Sequence, residues 1–273
     1  MEKLNVNLIA LDLDDTLLND ERKISDRNVE ILRRCAQRGI YVVLCSGRAE
    51  DGIKPFVSRL NIAALESGKY VVAINGCSIF DMHKRLQIYK KTVSPEILHY
   101  VHHVAKEMGF ETEVYSDDVV FYSKETDWTL RDVKMCGLKG REAQDYEKLI
   151  DRDFYKMLIP GEPEKLQILQ EKLKASLKKR AVIFTSKPYF LEILPPDCGK
   201  GESIDWLARY IGIDVKTTMA FGDSMNDESM ITKCGYGVAM KNGNEQIKRI
   251  ADFVTERTNN EDGVADFIEK HVL

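Results

Sequence analysis

Leu8-Ile9-Ala10-Leu11-Asp12-Leu13-Asp14-Asp15-Thr16-Leu17-Leu18 is the stretch from which the rest of the chain can be read. Residues 8–11 form a short apolar run of the kind that makes a buried strand. On a strand, residues i and i+2 point to the same side. Asp12 and Asp14 are therefore expected to converge at the strand's C-terminal end, where open α/β sheets place their ligand sites. Two carboxylates side by side repel unless a cation or a shared proton intervenes, and packing does not ask for the pair. An acidic turn with Asp15 and Thr16 as turn residues would read the same way in isolation, so distant segments must decide.

Three such segments follow. Residues 40–44 form a second buried apolar run and end in Cys45-Ser46-Gly47-Arg48, where a hydroxyl and backbone N–H groups at a strand end suit an anionic oxygen. An ordinary strand-to-helix turn would look similar. Lys200 lies in Pro195-Pro196-Asp197-Cys198-Gly199-Lys200-Gly201, flanked by two glycines that permit close backbone approach; a lone surface lysine would carry no such meaning. Thr218-Met219-Ala220 leads into Phe221-Gly222-Asp223-Ser224-Met225-Asn226-Asp227, which reads as strand, tight turn and helix start. Asp223 and Asp227 then stand one helical turn apart on a shared face. An acidic helix start stabilised by the macrodipole accounts for one aspartate, not for three acidic or amide groups within five residues.

Together these segments resemble the haloacid dehalogenase superfamily of phosphatases, whose pattern runs DxDx[TV], Ser or Thr, Lys, GDxxxD in that order. The tripeptide Ser46-Gly47-Arg48 and the run from Gly222 to Asp227 are most similar to its Cof-like subgroup. The resemblance takes in the Asn75-Gly76 turn and the segment 191–201, and spans essentially the whole chain. One departure is Asp15, where the family most often has glycine. The position is expected to need an unusual backbone angle, which Asp tolerates better than most residues.

The resemblance implies an α/β fold: a Rossmann-like doubly wound parallel-sheet core with an inserted α+β cap domain of type C2, built from an antiparallel sheet and helices. It places the core at residues 1–84 and 190–273 and the cap at 85–189, with the cap excluding water and reading the leaving group. It implies a Mg2+-dependent phosphatase of small phosphorylated metabolites, such as sugar phosphates, working through an aspartyl-phosphate. Asp12 would be the nucleophile and Asp14 the general acid and then base, with a raised pKa expected for that task. Asp12, Asp223 and the backbone carbonyl of Asp14 would hold the metal, with Asp227 as an outer partner; hard oxygen donors suit Mg2+. Ser46, the backbone N–H of Gly47, Lys200 and Asn226 would hold phosphoryl oxygens, and Arg48 would brace the site. A phosphomutase on the same core and a non-catalytic phosphometabolite sensor are the other readings. A dehalogenase would not need Asp14, Asp223 and Asp227 together.

Composition is that of a globular enzyme. The 273 residues suit about two domains, with 44% hydrophobic and 31% charged residues. A net charge of −4 offers no basic face to nucleic acid, and the lysines and arginine between 172 and 180 read as a solvated helix face. Six cysteines without CxxC spacing read as reduced thiols of a cytoplasmic protein. No apolar run approaches the roughly 18 residues of a membrane span, and no signal peptide opens the chain. A monomer or weak homo-oligomer is expected.

Residues 20–39 read as a helix with Ser25 as N-cap and Gly39 as stop. Residues 71–74 read as a strand, and 78–81 with 86–89 as a hairpin leading outward. In the cap, 94–109 and 163–179 read as helices, and 110–123 as two strands joined at Asp117-Asp118. Residues 155–160, 181–185 and 189–194 read as further strands, with a polar stretch after 123. His99, His102 and His103 share a helix face at a metal-binding spacing, but no Cys or carboxylate is expected to complete that set nearby, and they read as a surface face. Trp128, Tyr115, Phe121 and Tyr122 read as packing residues, with Tyr189 a weak substrate-contact candidate.

Overall fold

The computed structural model describes residues 3–116 and 118–273. The chain divides into two compact units, Met1–Tyr89 with Gly199–Leu273, and Lys90–Cys198.

In the first unit, β1 (Leu8–Asp12) is buried along its whole length. The chain then makes a wide helical turn over Leu13–Leu17, closed by the Leu18 N–H donating to the Leu13 carbonyl at 2.9 Å. Asp15 sits in this turn with φ 63°, the left-handed angle expected for it. Next come α1 (Asp26–Gln37), β2 (Tyr41–Cys45), α2 (Glu50–Leu60), β3 (Tyr70–Ala73), β4 (Ser78–Asp81) and β5 (Leu86–Lys90).

The inserted unit contains α3 (Pro95–Glu107), β6 (Glu113–Tyr115), β7 (Val119–Tyr122), α4 (Asp127–Cys136), β8 (Lys139–Glu142), α5 (Tyr146–Leu149), β9 (Met157–Pro160), α6 (Pro163–Leu177), β10 (Val182–Lys187) and β11 (Phe190–Leu194). The chain returns through α7 (Lys200–Ile211), β12 (Thr218–Gly222), α8 (Glu228–Lys233), β13 (Tyr236–Ala239), α9 (Glu245–Ile250), β14 (Phe253–Val254) and α10 (Gly263–His271).

The first unit is organised on a sheet of order β14-β13-β12-β1-β2-β3-β4-β5. From β14 to β3 the pairs are parallel, and β4 runs antiparallel to β3. From β1 the order proceeds one way through β2 and β3, and from β12 the other way through β13 and β14. The adjacent strands β1 and β12, with Leu11 opposite Phe221, therefore flank the point where the winding reverses, and a ligand crevice forms at their carboxyl ends. Parallel strands covered on both faces need apolar residues throughout, which is why β1 is LIAL up to its final aspartate.

Several expectations are corrected. The helix read over 20–39 begins at Asp26, because Asn19 to Lys23 closes into a turn with the Lys23 N–H donating to Asn19 Oδ1 at 3.0 Å; Ser25 does cap the helix. Residues 78–90 stay in the large sheet instead of leading outward. The unit boundaries follow Tyr89 and Cys198, not residues 84 and 189, since β5 extends the large sheet and β11 pairs with β9 and β10 of the insertion. The inserted sheet, β10-β11-β9-β6-β7-β8, is antiparallel except that β8 runs parallel to β7. The stretch after 123 holds α4 and β8: Thr126 and Thr129 form a capping box, and Gly137 at φ 73° ends the helix. Asp117, half of the expected turn pair, lies outside the described residues.

Glu113, Tyr115, Asp132, Lys156 and Glu192 form a buried polar cluster in the inserted unit. Lys156 donates to Glu192 at 2.9 Å and the Tyr115 hydroxyl donates to Asp132. Burial, reinforced by the neighbouring Asp132 carboxyl, pushes the Glu113 carboxyl well above its ordinary value of 4.5. A group raised in the folded state contributes fully below its unfolded pKa, and that contribution is lost as pH climbs toward the folded value. Thermal melts from pH 5 to pH 9 should therefore show Glu113→Gln holding its Tm better than wild type toward alkaline pH. A gain of about 1 kcal/mol, or roughly 2–4 °C, is expected at pH 8. Parallel pH profiles would remove the assignment.

Candidate active site

Asp12 ends β1 with 6% exposure, and Lys200 opens α7 fully buried. The Lys200 ammonium donates to Asp12 Oδ1 and, at 2.6 Å, to Asp227 Oδ1. Burial alone would lower the lysine's pKa, but Asp12 and Asp227 outweigh it and hold the group charged. Two glycines make the placement possible. Gly76 has φ 92°, and a Cβ there would lie 2.1 Å from the Gly199 carbonyl oxygen. A Cβ on Gly201 would lie 2.0 Å from the Ser229 carbonyl oxygen. The backbone on either side of Lys200 is thus pressed against its neighbours, which aims the side chain inward.

Asp223 follows β12 and accepts from Thr16 Oγ1 at 2.9 Å and from Ser224 Oγ at 2.6 Å. Asp227 does not sit one α-helical turn along, as its spacing suggested. Ser224 begins a tight turn over Met225–Asp227, and Asp227 Oδ2 folds back to accept the backbone N–H groups of Asp223 at 2.9 Å and Ser224 at 3.1 Å. Asp12, Asp223 and Asp227 each bring one oxygen to within 4.8 Å of the others. Burial pushes the Asp12 carboxyl well up, with Lys200 opposing and Asp227 and Asp223 adding to the rise. Burial, followed by Asp227, lifts Asp223 to about 6 against the hydrogen bonds from Ser224 and Thr16. Lys200 pairs with two of the three carboxylates, which leaves a buried surplus of negative charge with hard oxygen donors, and that fits a small divalent cation.

Asp14 stands outside this cluster. Because β1 ends at Asp12, Asp14 lies in the wide turn, and the shared strand face expected for the pair does not form. Its carboxylate receives the Arg48 guanidinium fork, Nε to Oδ2 at 3.0 Å and Nη2 to Oδ1 at 2.5 Å. Arg48 itself lies over the Phe56 ring, 5.4 Å from its centroid, so it braces the site as expected. Ser46 is buried after β2, and its Oγ accepts the Arg48 N–H at 3.2 Å.

Two residues of this region were not marked as site residues from the sequence. Asn75 carries a buried amide beside Gly47, where a Cβ would come within 3.0 Å of Asn75 Oδ1, and Asn226 Nδ2 donates to that oxygen at 3.5 Å. Asn-Gly after an apolar strand was the available signal. Asn242 Nδ2 donates to the Asp15 carbonyl at 2.7 Å and supports the left-handed turn. No local pattern around Asn242 announces that contact.

The haloacid dehalogenase-like hydrolase family model matches residues 9–268. The chain is 32% identical to the 5-amino-6-(5-phospho-D-ribitylamino)uracil phosphatase YwtE of Bacillus subtilis, over 96% of either protein. It is 26% identical to the HMP-PP phosphatase of Escherichia coli, over 88% of this chain and 86% of that one. A solved haloacid dehalogenase-like hydrolase from Bacteroides thetaiotaomicron superposes with a TM-score of 0.84 at 33% identity, covering 97% of this chain and 99% of the other.

Removing the one ammonium from the carboxylate cluster leaves buried charge uncompensated. Lys200→Met should therefore lose about 3–5 kcal/mol of stability, read as a fall in Tm. Millimolar Mg2+, used as a hard divalent probe, should raise the variant's Tm more than the wild type's, because the cation offsets the missing charge. Equal shifts would show that the cluster does not take the ion.

Proposed function

The chain belongs to the haloacid dehalogenase-like hydrolases and is a phosphoric monoester hydrolase among them, and from that footing we propose that it is a Mg2+-dependent cytoplasmic phosphatase of small sugar or polyol phosphates. The supporting observation is the buried trio Asp12, Asp223 and Asp227 around one ammonium at the reversal point of the sheet. The phosphorylated ribityl chain named in the B. subtilis relative supports the substrate class.

Asp12 attacks phosphorus and forms an aspartyl-phosphate while the bond to the leaving oxygen breaks. Lys200 fixes one oxygen of Asp12 and so orients the carboxylate. Asp14 gives a proton to the leaving alkoxide, then takes one from the water that hydrolyses the acyl phosphate and regenerates Asp12. Arg48 positions Asp14 for both steps through its fork. Ser46, the Gly47 N–H and Asn226 donate to phosphoryl oxygens, and an ammonium that spends two of its three hydrogens on Asp12 and Asp227 has one more to offer there. Asp12, Asp223 and the Asp14 carbonyl, with Asp227 outside, would hold Mg2+, which would supply the positive charge that lets a phosphate dianion approach a carboxylate.

Phosphate release from a panel of sugar phosphates, polyol phosphates and an aryl phosphate, with Mg2+ and with EDTA, checks the reading. Mg2+-dependent turnover is expected, and Asp12→Asn should lose roughly 10³-fold or more of kcat. In single-turnover phosphorylation of Asp12, Asp14→Asn should lose about 10²–10⁴-fold with sugar phosphates but far less with the aryl ester, whose leaving group needs no proton, while the later hydrolysis of the aspartyl-phosphate slows alike for both. Turnover by a folded Asp12→Asn protein would remove the nucleophile, and equal losses of the phosphorylation step on both esters would remove Asp14 as the acid.

A further inference from the structure

α3 carries Glu96 and Glu107, but the carboxylate that meets its histidines comes from elsewhere in the fold. His99 and His103 stand at i and i+4, and α5 brings Glu147 onto them from 48 residues away. Glu147 Oε2 lies 3.0 Å from His99 Nδ1 and 3.8 Å from His103 Nε2. One donor atom from each residue falls within 4.8 Å of the others. Ligands about 2.0–2.1 Å from a tetrahedral metal ion are separated from one another by about 3.3 Å, a value the two observed distances bracket.

The second observation is Asp151, just past α5, whose Oδ1 lies 2.9 Å from His99 Nε2. Both nitrogens of one imidazole thus face carboxylate oxygens, and a neutral ring has a single N–H to give. A metal at Nδ1 fits this arrangement without a second ring proton. The lone pair goes to the ion, the N–H goes to Asp151, and any proton on Nδ1 is released to water. A carboxylate receiving the outer N–H is the usual partner of a metal-bound histidine, fixing its tautomer and orientation. Behind Glu147, His102 is buried, held by Thr112 Oγ1 at 2.7 Å from its Nδ1, with its Nε2 3.6 Å from Glu147 Oε1. Glu147 and His103 keep 43% and 62% of their side-chain surface exposed, so an ion can enter from solvent and complete its shell with water.

We propose that His99, His103 and Glu147 form a transition-metal site of the zinc class in the inserted unit, with Asp151 orienting His99. Two imidazoles and one carboxylate suit Zn2+ and its neighbours, whereas the all-oxygen trio of Asp12, Asp223 and Asp227 suits Mg2+. The ion would fasten α3 to the α5 segment and stabilise the fold by linkage. The proposal is independent of the phosphatase reading.

Co2+ is the probe, added to the untagged full chain in excess Mg2+. One equivalent should produce the intense visible absorption of a tetrahedral nitrogen-containing site, and Zn2+ should abolish that absorption and raise Tm. His103→Ala and Glu147→Gln alter exposed side chains and should leave the metal-free Tm and the Mg2+-dependent phosphatase rate unchanged while weakening Co2+ binding by at least 10²-fold. A wild-type protein without the absorption band, or a band that survives in both variants, overturns the site.

Discussion

The Lys200 ammonium is fully buried and is tied at once to Asp12 at the end of β1 and to Asp227 beyond β12. Residues 188 and 27 positions apart in sequence depend on this one cation. Moving an ammonium and two carboxylates out of water is costly, and the return comes only when the geometry is close to ideal. The glycines at 76 and 201 are part of the same requirement, since any side chain there would push the lysine's backbone away. Packing, backbone freedom and charge thus converge on one atom, Lys200 Nζ.

That ion triad does not neutralise the region. Asp223 adds a third carboxylate whose pKa is lifted to about 6, chiefly by burial. Stability alone would not select this arrangement, because an apolar cluster of the same volume would hold the strand ends together at lower cost. Sites that break local rules in this way are where function is expected. The hydrogen bonds from Thr16 and Ser224 to Asp223, and from two backbone N–H groups to Asp227, fix the carboxylates' directions in advance. They leave the net charge unchanged, so the cluster keeps hard oxygen donors that a small cation could use.

Features carried by short-range patterns were legible in the sequence. The buried β1, the Ser25 cap and the left-handed Asp15 follow from apolar runs and backbone sterics, and all are present. Long-range features were less so. The strand was expected to carry both Asp12 and Asp14, but it ends one residue too early for the period-two rule to reach Asp14. The spacing of Asp223 and Asp227 suggested a helix face, whereas a capping turn folds Asp227 back onto its own backbone neighbours. Asn75 and Asn242 act through contacts that only the tertiary fold creates. The strand β8, KGRE with every residue exposed, has no hydrophobic period to read and is recruited by pairing with β7.

The histidines of α3 show the same limit from the other side. Their i, i+4 spacing was visible, yet spacing supplies only half of a metal site, and the missing carboxylate was sought nearby in sequence. Glu147 and Asp151 lie on the far side of three strands and a helix, so no local window could have joined them to His99. The two clusters also differ in how they treat their own charge. The aspartate trio is buried and crowded, and burial raises the cost of its charge. The histidine cluster is half-open, with imidazoles set beside carboxylates where solvent ions can reach them. The buried cluster draws its charges from residues far apart in the chain and holds them away from solvent, whereas the half-open one is assembled from two short segments and keeps its donors within reach of solvent.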